Sequence, residues 1–441
     1  MSAVQAPYRP TVIPQRRAGL WARLRVASVY DVYAVFIAAV LPLHAVQPAV
    51  RGVSLFNIIN IVVVGILLIA TVARAWRITH RFIVPVIVYV AGSVMAMLNS
   101  DYVYINIYTL FQDLYLYLWM SIMISMMLWK TDMVYKLINW WALSSAAVFA
   151  ISVALGLGID ADRIEFTFQN PNRAATYWVV TAFMMFHPSV PNRFRFVIWP
   201  VTVVGVVMTG SNSGVLSFAV GIGLFVLIRA LMSPNNRPGA VGALVVTAMV
   251  FGGVVVFATY GAEHLLELVG QVSSGGDETS SRIDRSSAVR FDIWAAGIET
   301  FREYPMGIGP ASFSRQVEIY SMGGTRLELH SDFVASLVER GVIGLTGFLM
   351  FLIAIGVTIA QSLRIAVRSG DRPALTWTTA LAAMAIAYLT AAVTHEILHE
   401  DVFWVVLALI ASNHTVLQRS QWLRWRRSTA PRRPLNSPAL V

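Results

Sequence analysis

The chain has 441 residues, of which 57% are hydrophobic and 13% charged, and its mean hydropathy is +0.66. A water-soluble domain has too little interior to hide that much apolar surface, so the composition points to an integral membrane protein. The absence of cysteine excludes disulfides and thiolate metal sites, and the net charge of +10 is almost all arginine, with Lys130 and Lys136 the only lysines.

A spanning helix needs roughly 20 apolar residues. Taken in chain order, such windows fall near 32–46, 55–73, 82–98, 105–128, 134–157 and 174–186. Further windows follow near 194–208, 215–231, 240–260, 333–360, 375–393 and 402–417. The sequence therefore predicts an all-α polytopic integral membrane protein of about 12 transmembrane helices. Basic residues collect on the cytoplasmic side of such proteins. Arg9, Arg16, Arg17, Arg23 and Arg25 precede the first window, and every second connection is basic. Examples are Arg74, Arg77 and Arg81, then Arg193 and Arg195, then Arg364, Arg368 and Arg372. Both termini are thus expected in the cytoplasm. No signal peptide is expected, because Met1–Ser28 lacks a short apolar core followed by a small-residue cleavage site. The expected organisation is a cytoplasmic tail at 1–28, a membrane domain at 29–418, and a basic cytoplasmic tail at 419–441.

Between the ninth and tenth windows lies a large external loop, about 261–332. Its segment "SSGGDETSSRIDRSS" reads as a flexible polar lead-in. A helical pattern follows, with Arg290, Trp294, Ile298 and Phe301 near one face, and Pro305 ends it. His330 stands at the external end of the tenth window, where Ser331 or Asp332 can cap the helix. A helix N-terminus favours anions, and a histidine there has a pKa suited to a general base. The bland alternative is a polar interfacial residue. Arginines on the external side run against the charge bias: Arg163, Arg173, Arg282, Arg285, Arg290, Arg302, Arg315, Arg326 and Arg340. A planar guanidinium suits phosphate, although several of these can pair with nearby Asp and Glu.

Four stretches resemble the O-antigen ligase and O-antigen polymerase superfamily. They are "HS", nine residues, then "GVIG" (from His330); "FQNPNRAA" (from Phe168); "TGSNSGVLSF" (from Thr209); and "RFDIWAAGIETFREYPMGIGPASF" (from Arg290). The resemblance implies a glycosyltransferase that moves a glycan en bloc from a polyprenyl-pyrophosphate carrier, such as undecaprenyl pyrophosphate, to an acceptor sugar, without cofactor or metal and with inversion. It implies His330 as the catalytic base. Arg290 then contacts the pyrophosphate, with Arg173, Asn212, Ser331 and Arg326 as further substrate-binding residues. Asn212 stands where many relatives have arginine. The implied partners are the lipid-linked glycan donor, a glycan or lipid-core acceptor, and membrane lipid, with no nucleic acid. The implied location is a bacterial inner membrane with the site facing the periplasm.

Two rivals come from other classes. "HEILH" (His395 to His399) matches H-E-x-x-H, two zinc ligands one turn apart with Glu396 as base and Glu400 or Asp401 as further ligands. A flippase for lipid-linked sugars would share the spans and the arginines, but charges buried mid-span usually mark a transport path, and the span centres here hold almost none.

Overall fold

A computed structural model describes Val26 and residues 28–46, 49–50, 53–130, 132–156, 159–160, 163–168, 170–232, 276–317 and 328–429. The expected ninth span, Arg326 and most of both tails lie outside these residues. The described chain is helical, apart from two antiparallel ladders of two-residue strands at Ala49–Val50/Val53–Ser54 and Ile159–Asp160/Arg163–Ile164. Seven of its helices are long and apolar enough to cross a membrane.

The helices run in this order: α1 Val29–Val40, α2 Leu55–Ala96, α3 Val103–Trp129, α4 Asp132–Leu155, α5 Pro171–Met184, α6 Asn192–Met208 and α7 Asn212–Leu231. They continue as α8 Gly276–Glu303, the single turn α9 Phe313–Gln316, α10 Asp332–Ser369, α11 Arg372–Ala392 and α12 Asp401–Thr429. Several of their starts follow capping rules. Asn170 accepts from the backbone N–H of Asn172 and Arg173, with Pro171 at the first helical position. Ser211 and Asp371 cap α7 and α11 in the same way. Gly370, at φ +66, closes α10.

The structure corrects two sequence expectations. Arg74–Arg81 was expected to be a loop between two spans, yet the backbone is helical through it, in the single α2 of 42 residues. Arginine is a good helix former, so charge alone does not mark a break. The two expected spans persist as two packing segments. Near its start, Asn60 accepts from the Tyr33 hydroxyl, which itself accepts from Trp119 Nε1 at 2.8 Å. Near its end, α2 runs antiparallel along α10, from Arg81 on Gln361 to Gly92 on Gly344. The second correction is the lead-in to α8, which is helical from Gly276. Acidic and serine residues are well placed in a helix's first turns.

Without a hydrophobic force between helices in lipid, close packing at small residues holds a bundle together. The pairing of α2 with α10 is the most extensive among the described helices. A Cβ on Gly92 would fall on the backbone of Gly344, and one on Gly347 would fall on that of Tyr89. The bundle interior is aromatic, with Trp119, Trp141, Trp178, Tyr177 and Tyr388 fully buried. Buried tryptophans need a partner for their N–H, and Trp141 donates to Thr181 at 2.9 Å.

Candidate functional site

One end of the bundle gathers the starts of α3, α5 and α10, the short α9 with Ala311 before it, Tyr89 of α2, and the turn between α11 and α12. They enclose a cavity of about 310 Å³. His330, Arg173 and Asn170 line it, with Asp332, Ser336, Glu339 and Arg340 from α10, and His395, Glu396 and His399 from the turn.

His330 is half-buried and has φ +49. This left-handed conformation is uncommon for a side-chain-bearing residue and costs energy that surrounding contacts must offset. Those contacts come from α8, where the Trp294 indole donates to the Leu329 carbonyl at 3.0 Å. Gly297 leaves room for Leu329, Val334 and Val338. Ile293, Ala296 and Phe301 complete this small core. Ile298, expected on the packed face, is 45% exposed. The turn of α8 carrying Trp294 also brings Arg290 into electrostatic range of His330. Burial lowers the His330 pKa below its ordinary 6.5, His395 and Arg290 push the same way, and Glu328 opposes them. The imidazole is therefore neutral near pH 7, the form that accepts a proton.

The glycine spacing after His330 has a geometric reason. At Gly341 the backbone leaves helical geometry, with φ +67, and α10 kinks. The Pro305–Gly309 segment fills the break. Val342 N–H donates to the Pro305 carbonyl, while Ile308 and Gly309 donate to the carbonyls of Val338 and Glu339. A Cβ on Gly341 would fall on the Met306 carbonyl carbon. Gly344, one turn on, is the point of contact with Gly92. The Glu339 carboxylate accepts from Ala311 and Phe313 N–H, which fixes the loop to the cavity wall.

Behind that wall is an ion cluster that sequence reasoning missed. The Arg340 guanidinium donates to Asp113 at 3.0 Å and to Ser93 at 3.1 Å, lies 3.6 Å from Glu339, and sits 4.7 Å over the Tyr89 ring. His399 Nε2 meets the other Asp113 oxygen at 3.0 Å. Burial works against a charged His399, but the hydrogen bond and charge of Asp113 outweigh it, so its pKa is raised. Asp113 and Arg340 are 227 positions apart, so no local motif could have joined them.

The other expected site residues divide. Arg173 lines the cavity, with Nε 3.9 Å from Glu400, which also meets His395 Nε2 at 2.9 Å. Ser331 occupies the N-cap position of α10 but makes no cap hydrogen bond; its hydroxyl donates to the Ala392 carbonyl at 3.5 Å instead. Asp332 does not cap α10 by a side-chain bond either. Its carboxylate accepts from Ile397 and Leu398 N–H and so pins the turn at 395–400. Asn212 is exposed at the start of α7 and is not part of the cavity wall. Its neighbours Ser211 and Ser213 bond to Asn172 instead.

The H-E-x-x-H stretch is a turn and not a helix, so His395 and His399 lack the shared helical face a zinc protease requires. Each is committed to a different carboxylate, Glu400 or Asp113. Among the described residues, no three His, Asp or Glu side chains converge as a metal-holding group.

Residues 196–349 match the family model described as O-antigen ligase, which supports the O-antigen ligase/polymerase superfamily. Arg290, Asn212 and His330 fall inside the match, whereas Arg173 and the 395–400 turn fall outside it. No curated protein matches the chain.

Proposed function

We propose that this chain, which carries the O-antigen ligase-family region at residues 196–349, moves a glycan en bloc from a polyprenyl-pyrophosphate carrier to an acceptor sugar. The reaction takes place on the external face of the cytoplasmic membrane. The observation that carries this reading is the strained, neutral His330 on a polar cavity at a bundle end, with Arg290 in its electrostatic range and Arg173 on the same cavity.

In the proposed step, a hydroxyl of the acceptor sugar attacks the anomeric carbon of the donor. His330 takes the hydroxyl proton as the new C–O bond forms. The anomeric C–O bond to pyrophosphate breaks on the opposite face, so configuration inverts. The electron pair leaves with the lipid pyrophosphate. Arg290, within electrostatic range of His330, and Arg173, on the cavity wall, supply positive charge for the growing negative charge, and such pre-placed cations favour a transition state in which charge builds up. The pyrophosphate is already a good leaving group, so one base plus correct positioning suffices. His330 is neutral before the step and positively charged after it, and its proton then passes to water. Ser331 and Asp332 act through the backbone, since their bonds to Ala392, Ile397 and Leu398 set where His330 stands.

The test is transfer in proteoliposomes, with lipid-pyrophosphate-linked glycan as the only sugar source. A ladder of carrier-linked product identifies a polymerase, and a single shift of an added acceptor identifies a ligase. Movement of labelled carrier across the bilayer without transfer sinks the proposal in favour of a flippase.

A further inference from the structure

The contact with α10 uses only one side of α8. Ile293, Ala296, Gly297 and Phe301 make that side, in a small core with Leu329, Val334 and Val338. At about 100° per residue, Phe291, Ala295, Ile298 and Arg302 fall together on a second face. All four are exposed, Phe291 at 65% and Ile298 at 45%. Asp292, Glu299 and Glu303, also exposed, lie further round and make a third, acidic face.

Two exposed apolar side chains alone need no explanation. Their place in the fold says what meets them. α10 is long and apolar enough to cross a membrane. After its break at Gly341, the exposed apolar residues Val342, Leu349 and Ile353 share one face, and on a spanning helix such a face looks at lipid. α8 packs on the turns of α10 just before that break. Its C-terminal end leads directly into Pro305, whose carbonyl accepts from Val342 N–H, so α8 ends where the lipid-facing side of α10 begins. Tyr304 is exposed at this junction, and tyrosine is favoured at the membrane–water boundary. A helix that is polar as a whole, with an aromatic and aliphatic stripe, is the kind that lies in that boundary. Arg302 at the end of the stripe suits lipid phosphate and would be a cost in an apolar contact between proteins.

We propose that the Phe291, Ala295 and Ile298 face of α8 lies in the outer leaflet of the membrane, which makes α8 an interfacial helix with lipid as its partner. Asp292, Glu299 and Glu303 stay in water. Arg290, the residue before Phe291, is then held at headgroup depth, level with a pyrophosphate that arrives on a lipid. That placement of Arg290 rests on the transfer reading above; the lipid contact does not.

The chain has no cysteine, so single cysteines can be spin-labelled without background. Phe291→Cys, Ile298→Cys, Asp292→Cys and Glu299→Cys are labelled in the full-length protein, in vesicles of phosphatidylethanolamine and phosphatidylglycerol. Collisions are measured with oxygen, which concentrates in lipid, and with a nickel chelate, which stays in water. The oxygen-to-nickel ratio should be at least about threefold higher at 291 and 298 than at 292 and 299. Ala295→Cys, at an exposed small residue, reads the same face if Phe291→Cys does not fold. Free access of nickel to 291 and 298 overturns the proposal, because that face is then in water. Loss of both colliders there also overturns it, because protein then covers the face, and spin–spin broadening would identify a second copy. Phe291→Asp should raise the lipid-linked donor concentration for half-maximal transfer several-fold and leave the maximal rate near that of the parent. An unchanged half-saturation overturns the placement of Arg290. The expected collision pattern in a parent protein that transfers no glycan would sink the transfer reading and leave the lipid contact standing.

Discussion

Two histidines sit at opposite ends of the bundle and have opposite fates. His187, in the turn between α5 and α6, is 6% exposed. Its Nδ1 meets the Ser189 hydroxyl at 2.7 Å, its ring packs edge-on against Trp377 at 4.6 Å, and Arg195 donates to the Met185 carbonyl beside it. Its surroundings are protein groups that hold a turn closed. His330 has a strained backbone, a cavity before it and Arg290 within electrostatic range. The lesson is that a histidine becomes a candidate for chemistry when its surroundings leave a ring atom something to do. Residue type alone does not separate the two.

The largest effect should come from His330→Ala, which should lower transfer by about 10²–10⁴-fold and leave thermal unfolding near that of the parent. His187→Ala should do the reverse, losing stability and keeping the rate per folded molecule. If both variants lose only stability, the comparison collapses. Next is Arg340→Met, which strands Asp113 and Glu339 and should cost about 3–5 kcal/mol of stability, read as a lower unfolding midpoint in detergent. Gly341→Ala should cost about 1–3 kcal/mol, because the left-handed φ and the Met306 backbone both oppose a side chain there.

Smaller effects should appear in pH profiles. Since burial lowers the His330 pKa below its ordinary value, the acid limb of transfer should lie at lower pH than that of an exposed histidine. Arg290→Gln should move that acid limb upward, because a cation that disfavours the imidazolium is gone. For His187, burial pushes the pKa down to about 3, so the folded state holds it neutral. The unfolded chain takes up the proton first, below about pH 6.5, so stability should fall as pH drops from there towards 3, by at most about 1.4 kcal/mol per unit. His187→Gln should flatten that slope. The smallest expected effect is that of a chelator on transfer, which should be none. Loss reversed by added zinc would revive the reading of His395 and His399 as metal ligands.

Much of the helix plan was legible because apolar windows and capping residues are local signals. Asn170 and Pro171 announce α5, and Asp371 announces α11. The helical path through Arg74–Arg81 was not legible, because the same arginines are compatible with a loop or a helix. His330, Arg173 and Arg290 could be named in advance from motifs and from charge on the unexpected side of the membrane. Asp113 and Tyr89 could not, as they look like ordinary helix residues until α10 brings Arg340 against them. Asn212 illustrates the converse, since it occupies a motif position but not the cavity wall.

The break at Gly341 divides responsibilities along α10. The piece before it, Asp332 to Arg340, is bound to the 305–313 loop and carries much of the cavity wall. The piece after it is locked to α2 through Gly344 and Gly347 and answers to the bundle. A straight helix would pass every twist of its buried half to the cavity wall. A break already filled by backbone hydrogen bonds lets the half after it anchor to α2 while the half before it carries the cavity wall.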